Sequence, residues 1–282
     1  METNVKQKED IITELKLKAN KIRKDIVKMI TKARSGHPGG SLSAVDVVTA
    51  LYFNVMRHNP ENPKWEDRDR FILSKGHAAP LLYSVLAESV YFEIKELLTL
   101  RKFGSRLQGH PDMKRLPGVE ISTGSLGHGL SVGNGMAIAG KLNKKGYRVY
   151  ILLGDGECQE GQVWEAAMTA SHYRLDNVTV ILDYNGLQID GAVKDIMNIN
   201  PISNQWRAFG WYIIEINGHD FKEILDSFEK VKKLKGKPSI IIAHTIKGKG
   251  VSFMENVIDF HGKAPTTEQM IQALKELEEN EE

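Results

Sequence analysis

The sequence predicts an α/β protein built on a parallel β-sheet that is covered by helices on both faces. From residue 147 onward, short apolar runs alternate with amphipathic helical segments, and the apolar runs are continuous rather than interrupted by polar residues. Continuous apolar strands that alternate with helices are typical of parallel sheets buried on both faces. Ligands of such sheets bind beyond the carboxyl ends of the strands. The residues that follow each strand are therefore the candidates for function.

The N-terminal half is predicted to be mainly helical. An apolar stripe predicts a helix over 8–34, and the segment SGHPGG ends it. The segment SAVDVVTALYF predicts a second helix, with Ser43 and Asp46 as its N-terminal capping pair. The run FILS at 71–74 predicts a buried strand, which a further helix follows from about Leu81.

The second half supplies most of the predicted sheet. Residues 104–127 are rich in Gly, Pro, Ser and charge, and an irregular segment of that length is usually functional or mobile. The strands predicted after it are YRVYILL, NVTVILD, WYIIEI and PSIIIAH, and the helices are GHGLSVGNGMAIAGKL, GQVWEAAMTASHY, residues 202–209 and FKEILDSFEKVKKL. We expect one domain over 1–265 and a helical C-terminal tail over 266–282.

Composition excludes several classes of protein. The chain has 282 residues, 41% of them hydrophobic, and a net charge of +2 from 38 basic and 36 acidic residues. A net charge this close to zero does not indicate binding to nucleic acid or to an anionic membrane. The single cysteine, Cys158, excludes an internal disulfide, and METNVKQKED lacks the apolar core of a signal peptide. We therefore expect a cytoplasmic protein with no membrane-spanning segment.

The stretch GDGECQEG at 154–161 places a carboxylate at the end of a strand. Asp-Gly can mark a β-hairpin, but the residues that follow have helical spacing, which predicts a strand-to-helix turn. Asp155 ends one strand and Asn185 follows the next, so in neighbouring strands their side chains start about 5 Å apart. Oxygen ligands suit Mg²⁺, and the Gly156 N–H at a helix start suits phosphate. Together they predict a magnesium-bridged diphosphate.

Other interpretations of these residues stay open. Asp155 could simply cap the next helix, and Asn185 could sit in an Asn-Gly turn. The pattern GxGxxxG at Gly127, Gly129 and Gly133, with an acid at the next strand end, could mark a nicotinamide dinucleotide site. That interpretation leaves Asn185 and the histidines unexplained. The same glycines can equally mean a helix packed close to another backbone.

Four histidines lie beside glycine with proline nearby. They occur in GHPGG, GHAAP, GHPD and HGKAP, at His37, His77, His110 and His261. A single loop histidine is usually solvated surface, whereas four in similar settings predict a cleft lined with imidazoles. Such groups bind phosphate, hold hydroxyls or move protons near neutral pH. Zinc is less favoured, because no pair has the spacing of zinc ligands.

These motifs resemble the transketolase family. One motif consists of GDG followed, after 28 residues, by Asn185. It resembles the thiamine-diphosphate motif, which marks thiamine-diphosphate enzymes broadly. SGHPGGSLSAVD, SKGHA, QGHPD, TGSLGHGL, GDGECQEG and HGKAP each resemble transketolase blocks, in the same order, over about residues 10–265. The histidine blocks narrow the resemblance to transketolase and its relative deoxyxylulose-phosphate synthase.

The resemblance implies a thiamine-diphosphate-binding fold and assigns the cofactor residues. It places a metal, Mg²⁺ or else Ca²⁺ or Mn²⁺, on Asp155, Asn185 and the carbonyl of Leu187. Lys247 lies in TIKGKG, which looks more like the synthase relative, where a lysine meets the diphosphate. The residues implied to lie around thiamine diphosphate are His77, Gly124, Leu126, Gly156, Glu157, Asn185, Lys247 and His261.

The resemblance also assigns the catalytic residues. His37, His110 and His261 would face the sugar and handle its hydroxyl protons. Glu160 and Glu165 match acids that lie at the subunit interface between two active sites. His128 departs from the family's commoner glutamine, and the departure leaves its role open.

The chain ends just past the first domain of a full-length transketolase, and no segment matches the domain that activates the aminopyrimidine. The resemblance therefore implies the N-terminal subunit of a split transketolase. It would transfer a two-carbon ketol unit between sugar phosphates of the pentose-phosphate type, in a heterotetramer with a C-terminal, pyrimidine-binding partner. The alternatives are another split thiamine-diphosphate enzyme, such as a synthase-like one, or a non-catalytic cofactor binder. The sugars and the stoichiometry stay open.

Overall fold

The computed structural model describes residues 2–279, with side chains from residue 6 onward. Five parallel strands form the central sheet in the order β1-β2-β3-β7-β6, which confirms the predicted fold class. A two-residue antiparallel ribbon of β4 and β5 follows β3. The strands are β1 (Arg70–Leu73), β2 (Val149–Gly154), β3 (Val178–Tyr184), β4 (Leu187–Gln188), β5 (Gly191–Ala192), β6 (Tyr212–Asn217) and β7 (Ser239–His244).

Most of the helices lie close to the predicted positions, whereas two short helices, Pro38–Leu42 and Val193–Ile196, were not predicted. They are α1 (Glu2–Ala33), α2 (Pro38–Leu42), α3 (Val45–Ala50), α4 (Ala79–Glu88), α5 (His128–Leu142), α6 (Gly161–His172), α7 (Val193–Ile196), α8 (Ile202–Ala208), α9 (Phe221–Lys233) and α10 (Thr267–Glu279). The segment 104–127 contains no helix or strand, as predicted.

The predicted capping pair at Ser43 and Asp46 is wrong. The N-cap of α3 is Ala44, with no side-chain cap. Ser43 Oγ instead donates a hydrogen bond to Asp183 at 2.6 Å, and the Asp46 carboxylate accepts one from Arg23 at 2.6 Å. Both side chains therefore make tertiary hydrogen bonds instead of capping α3.

Alternate residues of each central strand pack into two different cores, one on each face of the sheet. Tyr150 and Leu152 of β2 join the core with α1, α3, α4 and α9. Ile151 and Leu153 join the opposite core with α5, α6 and α8. Burial on both faces explains why these strands are continuously apolar.

Helix α5 packs tightly against the sheet. A Cβ at Gly133 would lie 2.9 Å from the side chain of Ile151 on β2. A larger residue would force α5 away from the strand, so the glycine serves close helix packing, which is one of the two interpretations left open for this pattern.

The C-terminal helix lies against α1. Ala273 and Leu277 are buried in the core that α1 helps to form, and Asn20 Nδ2 donates to the Leu277 carbonyl at 2.5 Å. The division into 1–265 and 266–282 stays a prediction, and residues 280–282 of the tail lie outside the described residues. Within residues 2–279, no helix is long and apolar enough to cross a membrane.

Candidate active site

A cavity of about 290 Å³ lies at the carboxyl ends of β1, β2, β3 and β7. The register places Gly154 opposite Asp183, so the residues after β2 and β3 meet at one edge of the sheet, as predicted. His110 and Glu165 are the two predicted site residues that do not line the cavity. Those that do are His37, His77, Gly124, Leu126, Asp155, Gly156, Glu157, Glu160, Asn185, Leu187, Lys247 and His261.

Asp155 is 2% exposed. One carboxylate oxygen accepts from the Gly156 N–H at 2.8 Å and the other from the Gly186 N–H at 2.5 Å. Burial, together with the neighbouring charge of Asp183, raises the pKa of Asp155 to about 6. Asp155 does cap the short turn that follows it, so the capping interpretation is correct locally. The Gly156 N–H predicted to meet phosphate donates here to Asp155.

Asn185 lies in a turn beside Asp155. Its Oδ1 accepts from the Leu187 N–H at 3.1 Å, and its Nδ2 donates to Asp183 at 2.9 Å. The Asn-Gly turn interpretation is therefore also correct locally. The two hydrogen bonds fix which end of the amide is the oxygen, and Asp183 thereby orients it.

A buried ion pair under the cavity escaped the sequence analysis. Lys75 Nζ lies 2.6 Å from Asp183, and both side chains are at most 3% exposed. Thr245 Oγ1 also donates to Asp183, while Lys75 Nζ donates to the Gly40 carbonyl at 2.7 Å. Lys75 lowers the pKa of Asp183, which stays ionised despite burial because its charge is paired and hydrogen-bonded. The pair connects the end of β3 to the segment that follows β1 and to α2.

Lys247 brings a cation to the cavity. Its Nζ donates to the Leu187 carbonyl at 2.9 Å and lies 2.9 Å from His261 Nδ1. Lys247 is 2% exposed. Burial, with a smaller contribution from Lys75, lowers the pKa of Lys247 to about 8. The lysine thus contacts the carbonyl that the resemblance assigns to the metal.

Three histidines form a cluster. The ring centroids of His37, His77 and His261 lie 5.2 to 5.6 Å apart. Burial is the largest cause that lowers their pKa values, to about 4, about 2 and about 3 respectively. All three are therefore neutral near pH 7, so each ring offers one N–H donor and one acceptor. The Nδ1 atom of His37 is buried without a hydrogen-bond partner among the described residues.

His110 lies apart from this cluster. It is partly exposed and packs against Gly124, where a Cβ would lie 3.4 Å from its ring. Partial burial and the charge of Arg101 lower the pKa of His110. Arg101 Nη1 donates to Ser35 Oγ at 2.9 Å, so the arginine connects the loops before His37 and His110. The sequence analysis missed Arg101, which has no motif of its own.

Glu157 is engaged by donors of this chain. One carboxylate oxygen accepts from Ser74 Oγ at 2.5 Å and from the Gly127 N–H at 2.9 Å, and the other from the Gly154 N–H at 3.0 Å. Burial raises the pKa of Glu157. Glu157 therefore holds the start of α5 against the ends of β1 and β2, and its direct contact with a cofactor stays a prediction.

The acids predicted at a subunit interface are exposed. Glu160 precedes α6 at the mouth of the cavity, and Glu165 lies on the outer side of α6. His128 begins α5 and is exposed as well. Their place in an interface stays a prediction.

The residues present fit a hard divalent cation and a diphosphate. The hydrogen bonds of the buried Asp155 carboxylate come from two backbone N–H groups, those of Gly156 and Gly186. Asn185 and Leu187 line the same cavity as Asp155, and oxygen-only sets suit Mg²⁺. No group of three or more His, Cys, Asp or Glu among residues 2–279 could hold a metal. The candidate set therefore needs the amide and carbonyl oxygens, while Lys247 and the imidazoles supply donors for phosphate oxygens.

The family profile described as "Transketolase, thiamine diphosphate binding domain" matches residues 15–279. A subunit of apulose-4-phosphate transketolase from Phocaeicola vulgatus is 45% identical, over 94% of this chain and 94% of that protein. The 6-deoxy-6-sulfo-D-fructose transketolase subunit SqwG of a Clostridium species is 46% identical, over 94% and 96%. These two relatives match the chain along nearly its whole length.

Full-length transketolases are longer. Human transketolase is 42% identical over 93% of this chain, which spans 42% of the human protein. The crystal structure of transketolase from Campylobacter jejuni superposes with a TM-score of 0.89 at 37% identity, over 94% of this chain and 42% of that one. The chain therefore belongs to the transketolase family and corresponds to its N-terminal, thiamine-diphosphate-binding part.

Proposed function

We propose that this chain is the diphosphate-binding subunit of a two-chain transketolase. With a pyrimidine-binding partner it transfers a two-carbon ketol unit between sugar phosphates. The observation that carries the proposal is the convergence of Asp155, Asn185, the Leu187 carbonyl and Lys247 in one cavity with three neutral imidazoles. Relatives named as transketolase subunits match the chain along its length, which supports a two-chain enzyme.

The cavity would bind the diphosphate through Mg²⁺. Asp155 supplies the charged metal ligand, and Asn185 Oδ1 and the Leu187 carbonyl supply neutral ones. A cation there would offset the burial that raises the pKa of Asp155. Lys247 adds a positive charge beside the Leu187 carbonyl, and His77 and His261 add N–H donors for phosphate oxygens.

Thiamine diphosphate, when bound, supplies the carbanion chemistry of ketol transfer. The chain's own histidines would handle the protons of the sugar. His37 is held neutral by burial, so its acceptor nitrogen would take the proton of a sugar hydroxyl and return it. His261 is also neutral, but its Nδ1 accepts from Lys247, so it would hold a sugar hydroxyl through its Nε2–H. His110 lies on the other side of Gly124, where it would meet the sugar rather than the diphosphate.

A second chain would complete the site. The three buried acids around the cavity are Asp155, Glu157 and Asp183, and donors of this chain engage each of them. None of these three is therefore available to activate an aminopyrimidine ring. We assign that role to a partner carrying the pyrimidine-binding half, in a heterotetramer with two copies of each chain. Exposed Glu160 and Glu165 would lie at the interface.

The substrates would be ketoses with an anionic end. One relative is named for apulose-4-phosphate and another for 6-deoxy-6-sulfo-D-fructose. A phosphate and a sulfonate share a tetrahedral anion with oxygens that accept hydrogen bonds. We propose a phosphorylated or similarly anionic ketose as donor and an aldose phosphate as acceptor.

The test is ketol transfer by this chain, by the candidate partner and by the mixture, with and without thiamine diphosphate and Mg²⁺. Activity of the mixture alone, dependent on both cofactors, is the expected result. Cofactor binding by the mixture with no transfer from any anionic ketose would favour the non-catalytic cofactor binder. Transfer by this chain alone would contradict the two-chain assignment.

A further inference from the structure

The loop after β7 carries Lys247 and is held from several sides. The Thr245 N–H donates to the Tyr184 carbonyl at 3.1 Å, and the Gly248 N–H donates to the Gly39 carbonyl at 3.0 Å. Both anchors use backbone acceptors. Between them, the Ile246 N–H donates to a side chain, His219 Nε2, at 2.9 Å.

The partners of His219 fix its tautomer. Its Nδ1 lies 2.8 Å from Asp46 Oδ2, and Asp46 is 4% exposed. The charge of Arg23 and hydrogen bonds from His219 and Arg23 outweigh burial and lower the pKa of Asp46. As a carboxylate, Asp46 only accepts, so Nδ1 carries the hydrogen. The lone pair of Nε2 then faces the Ile246 N–H.

The same network holds the loop a second time. Arg23 Nη2 donates to Asp46 at 2.6 Å, and Arg23 Nε donates to the Lys249 carbonyl at 3.2 Å. Arg23 lies on α1 and Asp46 on α3. These two helices therefore hold the loop on both sides of Lys247, at Ile246 through His219 and at Lys249 directly. His219 itself lines a different cavity, behind the loop.

We propose that His219 is a positioning residue for the diphosphate site: as a neutral imidazole with its hydrogen on Nδ1, it anchors Ile246 and thereby places the Lys247 ammonium. The inference rests on the proposed function, because it takes Lys247 as a diphosphate contact. Lys247 Nζ must reach both the Leu187 carbonyl and His261 within 2.9 Å. A loop free to shift by about an ångström would lose at least one of these contacts.

Two substitutions separate the hydrogen bonds of His219. In His219→Asn, the amide nitrogen takes the place of Nδ1 and donates to Asp46, but the side chain is too short to reach Ile246. In His219→Gln, the amide oxygen takes the place of Nε2 and accepts from Ile246, while the donation to Asp46 is lost. The matched control is His244→Asn, at the end of β7, where the exposed ring pairs with Glu215.

The first readout is hydrogen exchange of the Ile246 amide in the isolated chain. We expect exchange about tenfold faster in His219→Asn, the equivalent of one lost hydrogen bond, and near-wild-type exchange in His219→Gln and His244→Asn. Equal protection of Ile246 in both His219 variants would overturn the proposal. This readout needs no cofactor, so it stands even if the proposed function fails.

The second readout is calorimetric affinity for pyrophosphate with Mg²⁺. We expect a loss of about tenfold in His219→Asn, the scale of groups that orient a metal or phosphate site, and a loss below about threefold in His219→Gln. If Ile246 loses protection in His219→Asn while pyrophosphate affinity is unchanged, His219 holds the loop without positioning Lys247, and the proposal is wrong. If wild-type protein binds no pyrophosphate, the proposed function fails instead.

Discussion

By floor we mean the four buried charged residues at the bottom of the cavity and directly under it, Asp155, Asp183, Lys75 and Lys247, each at most 2% exposed. Their side chains accept from or donate to one another, to backbone groups and to neighbouring side chains. The rim differs, because its side chains are exposed and belong to loops or to the outer side of a helix. By rim we mean four exposed residues around the cavity, His110, His128, Glu160 and Glu165, of which Glu160 lines the cavity itself.

The difference shows which part of the site one chain can organise by itself. In the floor, each charge lies where another group of the same chain fixes it, so its geometry follows from the sheet. In the rim, the side chains are exposed, so a second chain can contact them. We therefore expect changes in the floor to affect cofactor binding, and changes in the rim to affect turnover and assembly.

The largest effect is expected in the floor, for Asp155→Ala. Affinity for thiamine diphosphate in the presence of Mg²⁺ should fall at least about 100-fold, because even groups that only orient metal ligands contribute about 10- to 100-fold. The fold should survive, because Asp155 follows a strand rather than packing inside the core. Calorimetry on the assembled enzyme measures the affinity, with Asp195→Ala, an exposed position on α7, as control. An unchanged affinity in Asp155→Ala would refute the metal assignment.

The comparison sharpens with one histidine from each region. His110→Ala on the rim should lower turnover by about 10²- to 10⁴-fold, the usual contribution of a positioned acid or base, and leave cofactor affinity nearly intact. His77→Ala in the cavity should weaken cofactor binding instead. Steady-state kinetics and calorimetry on both variants separate the two roles. The same cofactor defect in both, with nothing else changed, would show that the division is wrong.

The buried histidine cluster should make the isolated chain sensitive to acid. His37, His77 and His261 have pKa values lowered from 6.5 to about 4, about 2 and about 3. Below pH 6.5 the unfolded chain therefore binds more protons than the folded chain, so the free energy of unfolding falls as pH falls. Asp155 and Asp25, whose pKa values are raised to about 6, act in the opposite direction below that pH. The decline is therefore expected to be clearest between about pH 7 and pH 6, where the histidines titrate in the unfolded chain and these two acids bind few protons in either state.

Urea unfolding between about pH 5 and pH 8 measures this dependence. His77→Gln should flatten the decline below pH 6.5 relative to the wild type, because one titrating group is removed. A free energy of unfolding that stays constant from about pH 7 to pH 5 would contradict the buried, neutral cluster.

The smallest effect in the isolated chain is expected on the rim, for Glu165→Gln. The free energy of unfolding should change by less than about 0.5 kcal/mol, as for most exposed substitutions. Association with the second chain should weaken, because the proposed function puts this exposed acid at the interface. Sedimentation of the mixture measures association, with exposed Lys233→Gln on α9 as control. Equal association of variant and wild type would remove Glu165 from the interface.

Local patterns predicted the fold well. The strands and their order of appearance follow from apolar runs, and the meeting of Asp155 and Asn185 follows because sequential strands pair. Ser43 and Asp46 were misjudged, because a capping pattern considers only neighbouring residues. Their real partners, Asp183 and His219, lie 140 and 173 positions away along the chain.

The sequence predicted only part of the floor: it indicated Asp155 and Lys247 but not the pairing of Lys75 with Asp183. Asp183 ends the apolar run NVTVILD, and Lys75 follows FILS, yet their pairing spans 108 positions. An acid at the end of a buried strand and a lysine directly after another strand of the same sheet were the signals available. Pairing them needs the order of strands in the sheet, which periodicity alone does not supply.

The most direct test of the proposed function compares the affinities of two ligands for the isolated chain and for the two-chain complex. Calorimetry measures the affinity for inorganic pyrophosphate and for thiamine diphosphate, each with and without Mg²⁺. Binding to the isolated chain shows which ligand the floor can hold without a partner. We expect the isolated chain to bind both ligands similarly and only with Mg²⁺. We expect the second chain to raise the affinity for thiamine diphosphate far more than the affinity for pyrophosphate. Pyrophosphate binding that ignores Mg²⁺, or that is absent from the isolated chain, would contradict a self-sufficient floor.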